Sequence, residues 1–392
     1  MKPLLIIAFT VFLDLIGFGI VIPLLPFYAE SYGAGAIEVT LLMAVYSLMQ
    51  FLFAPVWGAL SDRHGRRPIL LASIGMGALA LAGFALADTL VLLFVCRMLH
   101  GLFAANISTA QAYIADVTKP EDRAKGMGLI GAAFGVGFTL GPWIGGELSV
   151  HGLSAPIWVA AGLSALNFVL AAVIVKESLT EGQRSERRPR PVSPAVLASV
   201  LRHPVVGATI LLAFVTTLAF AMMEGTFALF EAHVNGLGAK EVGRLLGISG
   251  LTMVLIQGGL IGRLAKRFGE GALLRAGVPL LGLSMVALAV AKPGWGLIGA
   301  MVLLALAHGI TQPSLHSLMS QKAPASEQGL VLGTNQSLAA LARVLGPTVG
   351  GLLYAFASPA AFYGAAVILG LATVVAFRAT SAPEHAELAR RA

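Results

Sequence analysis

The first notable feature of this sequence is how little charge it carries. Only 11% of its 392 residues are Asp, Glu, Lys or Arg, whereas soluble domains average about 25%. Hydrophobic residues make up 57% of the chain, and the mean hydropathy is +0.86. This composition excludes an ordinary soluble domain and predicts an integral membrane protein with the lipid bilayer as its partner.

Other features are also missing. The single cysteine, Cys96, excludes an internal disulfide. We find no phosphate-binding loop, metal-ligand set or nucleophile paired with a base, so we expect no enzyme, no metal and no cofactor. No cleavable signal peptide is evident, because the first apolar run has no small-residue cleavage site before Pro23. The net charge of +7 is spread as small basic clusters between apolar runs, so we expect no nucleic-acid partner.

Twelve apolar runs are long enough to cross a bilayer, which takes roughly 20 residues each. We number the predicted spans first to twelfth; they cover residues 4–28, 39–60, 69–87, 90–114, 125–148, 156–175, 204–230, 241–263, 272–291, 295–319, 328–356 and 359–378. Residues 176–203 form a polar, basic stretch that reads as a flexible linker. The predicted domains are therefore residues 1–175, a six-helix bundle; 176–203, a cytoplasmic linker; and 204–392, a second six-helix bundle with a short cytoplasmic tail.

The distribution of basic residues gives the orientation. If the N-terminus is cytoplasmic, the inner segments hold 21 of the 26 Lys and Arg residues and the outer segments hold three. Cytoplasmic loops are enriched in Lys and Arg. We therefore predict a multi-pass protein of the cell (inner) membrane with both termini in the cytoplasm.

An internal repeat supports the division into halves. The run Gly141-Pro142-Trp-Ile-Gly145-Gly146 returns 205 residues later as Gly346-Pro-Thr-Val-Gly-Gly351, and a second echo links Gly58, Arg63 and Gly65 to positions 204 residues further on. Two parallel bundles joined by a linker are the arrangement that a transporter of alternating access requires.

Three motifs carry a family resemblance. The loop after the second span reads Gly58-Ala-Leu-Ser-Asp62-Arg-His-Gly65-Arg66-Arg67-Pro, and the first span reads from Leu13-Asp14 to Pro23-Leu-Leu-Pro26. The fifth span carries a glycine motif, which consists of Gly128, Gly137, Gly141, Pro142, Gly145 and Gly146. With these motifs the chain resembles the major facilitator superfamily, and within it the twelve-helix drug:proton antiporters that include tetracycline-exporter-like members.

The resemblance implies an all-α fold with twelve transmembrane helices in two pseudo-symmetric bundles. It also implies transport without an ATP-binding domain, with protons and a small molecule as partners, and a role in multidrug efflux and antibiotic resistance. We expect the chain to function as a monomer. The chain departs from the tetracycline exporters, which have an acidic residue midway along the third span, because the corresponding position falls near Ala80 in this chain.

The signature loop suggests a cytoplasmic latch. A carboxylate at this membrane surface can pair with nearby arginines. Our hypothesis is that Asp62, Arg66, Asp116 and Arg123 form a network in one conformation and separate in the other. The alternative is that the basic residues only set the orientation in the membrane and have no switching role. The full latch set is Gly58, Asp62, Arg63, Gly65, Arg66, Arg67, Asp116 and Arg123.

Ionisable groups inside spans are candidates for function, since charge in hydrocarbon is costly. Asp14 should lie near the midplane, roughly 15 Å from the start of the first span. We predict that it binds and releases the transported proton. By the resemblance, Arg97 helps to expel that proton, whereas the alternative is a permanent structural Asp14–Arg97 ion pair. Glu224 is either a second proton site or an anchor for a cationic substrate.

Polar side chains within the other spans are candidates for lining a substrate cavity or for bonding between helices. They are Gln50, Asn106, Gln111, Gln257, His308, Gln312, Asn335 and Arg343. The leading hypothesis is a proton-coupled exporter of small amphipathic molecules. An importer or uniporter of a sugar or small metabolite is the alternative, and a membrane receptor is a third class.

Overall fold

The computed structural model describes residues 2–118, 123–179, 204–323 and 328–380, and within these ranges the regular structure is helical. The α-helices are Lys2–Val21, Leu25–Glu30, Ala36–His64, Arg66–Ala85, Leu90–Leu102, Asn106–Val117, Arg123–Leu148, Ser154–Ile174, Pro204–Asn235, Ala239–Leu255, Ile261–Val290, Trp295–Lys322, Gln328–Phe356 and Ala360–Thr380. A 3-10 turn covers Ser149–His151 and a π-helical turn covers Ile256–Leu260. Most of the predicted linker, 180–203, and the tail from 381 lie outside the described residues.

Twelve spans follow from these helices. Eleven helical segments of the described chain are long and apolar enough to cross a membrane, and one of them, Ala239–Val290, has 52 residues. Gly269 divides that segment, because its φ of 76° and ψ of 154° are not helical. The eighth span ends and the ninth begins there, so the predicted fold class is confirmed.

Two spans are interrupted where the sequence analysis placed continuous helices. The first helix ends at Val21 instead of reaching Tyr28, because Pro23 and Pro26 lack the amide hydrogens that an uninterrupted helix needs. A short helix, Leu25–Glu30, follows it. The fourth span breaks between Leu102 and Asn106, which was not predicted.

Side chains from neighbouring spans satisfy the backbone at the break in the fourth span. Trp57 Nε1 donates to the carbonyl of Leu102 at 2.6 Å, and Gln50 Nε2 donates to that of Ala104 at 3.4 Å. Ser73 Oγ donates to the carbonyl of Phe103 and accepts from the backbone amide of Ala105 at 3.1 Å. Irregular backbone at membrane depth is stable only when it is bonded in this way.

The internal repeat is visible in the backbone. Gly65 between the second and third spans and Gly269 between the eighth and ninth both have positive φ, at 105° and 76°. Gly35 and Gly238 begin the second and eighth spans with ψ of 178° and 176°, and each receives the same capping contact from a glutamate three residues later. These matches at offsets of 203 and 204 residues confirm the repeat between the halves.

The glycine motif packs the fifth span on the first. A Cβ on Gly137 would lie 2.7 Å from Leu15 Cβ, and a Cβ on Gly141 would lie 2.7 Å from Gly19 Cα. Gly145 faces the backbone of Ile20 equally closely. The stripe therefore brings two helix backbones into contact, as small residues do in membrane proteins.

Two pairs of spans form most of the contact between the halves: the fifth with the eighth, and the second with the eleventh. We call the helix ends near Lys2, Gly65 and Thr380 the terminal face, and the opposite ends the distal face. On the distal side, a Cβ on Gly146 would lie 3.0 Å from Gly243 Cα, and Gly351 packs against Thr40. The halves are thus in close contact at the distal face.

The terminal side of both interfaces is open. Among the described residues, a Cβ on any of several glycines there would meet no atom within 4 Å. They are Gly58 in the second span, Gly128 and Gly131 in the fifth, Gly258, Gly259 and Gly262 in the eighth, and Gly333 in the eleventh. The molecule is closed at the distal face and open at the terminal face.

Candidate functional site

Asp14 lies in the middle of the first span and is half-buried. Its carboxyl group lies beside the side chain of Asn106, the first residue of the helix that resumes after the break in the fourth span. Within the described residues no Lys, Arg or His nitrogen lies within 4.0 Å of Asp14. The acid at the centre of the first half therefore has a neutral partner at the positive end of a half-helix.

Arg97 is buried in the fourth span but does not pair with Asp14. Its Nε donates to the carbonyl of Leu42 at 3.4 Å, and its guanidinium carbon lies 4.7 Å from the ring centroid of Tyr46. The Nη1 atom is buried and has no hydrogen-bond partner among the described residues. The Asp14–Arg97 ion pair, the structural alternative, is not present in this conformation.

Tyr46 of the second span is a residue that sequence reasoning missed. Its ring packs against Phe18 at 5.1 Å and against His100 at 5.2 Å between centroids. It also interacts electrostatically with Asp14, Arg97 and Arg343. Tyr46 thus contacts Arg97 directly, and its electrostatic surroundings include charged residues of both halves. A single tyrosine in an apolar span gave too weak a signal for this role.

The second half contributes Glu224 and Arg343. Glu224 lies half-buried in the seventh span and interacts electrostatically with Arg343 of the eleventh. Arg343 is exposed although it lies within a span, and it faces both Glu224 and Tyr46. Since these two partners belong to different halves, Arg343 lines an open space between them.

The other predicted cavity residues differ in their contacts. His308 stacks on Phe220 at 4.2 Å, and Gln312 Nε2 donates to Thr216 Oγ1 at 3.5 Å, so both link the tenth span to the seventh. As described above, Gln50 donates to the backbone of the fourth span, and Asn106 lies beside Asp14. The remaining three differ in exposure: Gln111 is half-buried, Gln257 is exposed in the π-helical turn, and Asn335 is buried with no partner for Oδ1 among the described residues.

At the terminal face, the structure brings together three of the four residues proposed for the latch network. Arg66 Nη2 lies 2.6 Å from Asp62 Oδ1, and Arg66 Nε lies 3.0 Å from Asp116 Oδ2. Arg66 Nη1 also donates to Ser61 Oγ at 2.5 Å. A buried guanidinium thus bridges the ends of the second and fourth spans. The fourth residue, Arg123, begins the fifth span, but its side chain lies outside the described residues.

Glu177 completes this cluster and was not identified from the sequence, where it fell in the predicted linker. Its carboxylate accepts from the backbone amides of Arg66 at 2.8 Å and Arg67 at 3.2 Å, at the start of the third span. Ser178 Oγ donates to Asp116 Oδ2 at 3.2 Å. The acid therefore caps a helix N-terminus. Arg67 donates to the carbonyl of Ala172, and Arg63 is exposed.

The fold and its motifs agree with known proteins. The family model of the Major Facilitator Superfamily matches residues 7–347 and 295–392. The class C tetracycline resistance protein of Escherichia coli is 36% identical over 94% of this chain and 93% of its own length. Multidrug resistance protein 2 of Bacillus subtilis is 27% identical over 95% and 94%.

A solved structure agrees as well. The crystal structure of the human organic anion transporter TETRAN is 25% identical, with a TM-score of 0.73 over 96% of this chain and 99% of that one. The family match spans nearly the whole chain, and its members are membrane transporters of small molecules. This chain belongs to the Major Facilitator Superfamily.

Proposed function

We propose that this protein is a proton-coupled exporter of small amphipathic molecules that works by alternating access. It resides in the inner membrane, functions as a monomer, and has both termini in the cytoplasm. The observation that carries the proposal is Asp14: a half-buried carboxyl group in mid-membrane that has no cation beside it among the described residues. Such a group can exchange a proton with whichever side the central space opens to.

The orientation follows from the basic residues. The terminal face carries the clusters around Arg63 and Arg267, and the distal face has few basic groups. By the bias of Lys and Arg toward cytoplasmic loops, the terminal face is cytoplasmic. The conformation described above is then inward-open, in which a substrate enters from the cytoplasm.

Packing connects the proton site to the moving interface. Asp14 lies next to Leu15, whose Cβ fits against Gly137 of the fifth span. The same span contacts the other half through Gly146 and Gly243. A change of charge at Asp14 can therefore affect the interface between the halves through the first and fifth spans, which are in backbone contact. The fifth span must change its packing against the other half when the halves move.

The substrate class rests on the relatives and on the central space. The relatives described above are tetracycline and multidrug resistance proteins, which supports drug export. Arg343 and Glu224 offer one charge of each sign beside the apolar walls of the spans, which suits molecules that are largely apolar and carry a charge. The third span has the buried Ala80 in the region where tetracycline exporters have an acid. We therefore test tetracycline as one compound of a panel and not as the leading substrate.

The experiment uses purified protein in liposomes with an imposed pH gradient and a panel of tetracycline and fluorescent cationic dyes. We expect wild-type protein to accumulate at least one compound against its concentration gradient, and the Asp14→Asn protein to lose this gradient-driven transport. Asp88→Asn is the matched control, because Asp88 is exposed in a distal loop. Full transport by Asp14→Asn would refute the assignment of Asp14 as the proton carrier.

A further inference from the structure

The distal ends of the first and seventh spans hold an ion pair that the motifs do not include. Glu30 ends the short helix after the first span, and His233 lies near the end of the seventh. His233 Nε2 lies 2.9 Å from Glu30 Oε1. The pair joins the two halves at the face where they are closed.

The pair occupies equivalent positions in the repeat. Glu30 and His233 are 203 residues apart, the same offset that relates Gly33 to Gly236 and Glu38 to Glu241. The two side chains therefore meet across the pseudo-symmetry axis, where the halves must separate for the distal face to open. This position makes the contact sensitive to the conformational change.

His233 has a partner at each ring nitrogen. Nε2 faces the carboxylate of Glu30, and Nδ1 lies 3.0 Å from the hydroxyl of Tyr354, which also reaches the carbonyl of Leu229 at 3.2 Å. An imidazole that carries a proton on both nitrogens is a cation, and in that state the carboxylate of Glu30 attracts it by charge as well as by a hydrogen bond.

The surroundings contain few other charges. The charged or titratable groups of the described residues that face His233 are Glu30 from the first half and Tyr354 from the eleventh span. On its own helix Glu231 lies two residues earlier and is held by Asn235 Nδ2 at 2.8 Å. The His233 side chain is 51% exposed, so protons reach it from the distal solution.

We propose that His233 is a second proton-binding site of the transport cycle, and that with Glu30 it forms a proton-operated outer gate. Bound to a proton, His233 holds the distal face closed through Glu30. Without the proton, the charge attraction to Glu30 is lost, and the halves separate more readily. This gate rests on the proposed function for its orientation, which puts the distal face outside the cell.

The direction agrees with proton antiport. After substrate leaves outward, protons from the more acidic exterior would charge His233 and favour closure of the outer face. The protein would then return to the inward-open state. A second tie, formed by Glu147 with Arg244 and Lys240, also joins the halves at this face, and it does not contain a histidine. The distal face therefore combines a constant ionic contact with a proton-dependent one.

The test measures the width of the distal face directly. Spin labels are placed at Asp88→Cys and Lys292→Cys, exposed distal positions of the two halves, in a Cys96→Ala background that removes the only native cysteine. Distance distributions are recorded in detergent by pulsed electron resonance between pH 5.5 and 8.5. We expect the open, long-distance population to grow about threefold across this range, the size of effect expected for a partly exposed charged pair.

Variants identify the group responsible. In His233→Gln and Glu30→Gln the open population should be raised at pH 5.5 and should no longer change with pH. The exchanged pair Glu30→His with His233→Glu should recover the pH dependence. His151→Gln, an exposed distal histidine, is the matched control and should behave as wild type. A flat wild-type profile, or an unchanged profile in His233→Gln, would overturn the gate.

The two experiments distinguish a failure of the gate from a failure of the proposed function. The Asp14→Asn protein should keep the wild-type pH profile of distances while losing gradient-driven transport in liposomes. If Asp14→Asn transports normally but the distance profile follows His233, the outer gate stands and Asp14 is not the carrier. If transport requires Asp14 but distances ignore pH, the gate is wrong and the proposed function stands.

Discussion

Arg66 and Glu270 begin the third and ninth spans 204 residues apart, each directly after a glycine with positive φ. Arg66 is buried between two carboxylates, those of Asp62 and Asp116. Glu270 accepts instead from two neutral donors of the tenth span, Ser317 Oγ at 2.9 Å and Gln321 Nε2 at 2.8 Å. The same backbone position therefore holds an ionic network in one half and neutral hydrogen bonds in the other.

The same difference recurs at mid-membrane. The first half has Asp14 in its first span, whereas the position 203 residues later is Thr217. Glycines that fix turns and helix contacts occur in both halves, but the mid-membrane acid and the buried arginine of the first half do not repeat in the second. The backbone repeat specifies the fold, and the unequal charges place the proposed mid-membrane proton carrier, Asp14, in the first half.

The largest effect should come from removing the cation of the first half's network. Arg66→Ala leaves the carboxylates of Asp62 and Asp116 close together without a counter-charge, and we expect a loss of about 3 kcal/mol in stability. Thermal unfolding in detergent measures it. Glu270→Gln is the matched change in the second half and should cost under about 1 kcal/mol, since its partners are neutral. Equal losses would remove the difference between the halves.

A smaller effect should come from the glycine stripe, which both halves share. Gly141→Val places a side chain against the backbone at Gly19, and we expect a loss of about 1–3 kcal/mol. Gly346→Val meets Ala221 in the same way and should lose a similar amount. Gly128→Ala, where no described atom lies within 4 Å, should stay within about 0.5 kcal/mol. Unfolding midpoints that rank otherwise would contradict the packing.

The smallest effect should come from the exposed distal tie. Glu147→Gln removes the partner of Arg244 and Lys240 at the interface of the fifth and eighth spans. The equivalent interface of the second and eleventh spans has the uncharged contact of Gly351 with Thr40. We expect the open population of the distal face to rise about twofold, measured by the same spin-label distances. A change of tenfold or more would show that this tie dominates closure.

The lengths of the apolar runs and the glycines at the turns between them made most of the fold predictable. The eleventh span was predicted at 328–356, as found, and most other boundaries differ by a few residues. The break after Leu102 was missed because no proline marks it and the residues around it, Leu102 to Ala105, are apolar. It is held by Trp57, Gln50 and Ser73, which are distant in sequence.

The candidate site was only partly predictable for the same reason. Asp14, Arg97 and Glu224 stood out because charge within a span is rare. Tyr46 did not, and Asn106 and Arg343 were named only as cavity candidates and not as partners of these acids, since only packing brings the helices near each other. Glu177 was hidden in a polar segment that looked like linker, and His233 in the end of an apolar span.

Proton release on substrate binding tests most directly that the first half carries the proton. A compound transported in the liposome assay is added to purified protein in weakly buffered solution with a pH-sensitive dye. Glu224 has Arg343 to balance its charge, whereas Asp14 has only Asn106, so wild type and Glu224→Gln should release protons and Asp14→Asn should not. Undiminished release from Asp14→Asn would contradict the account.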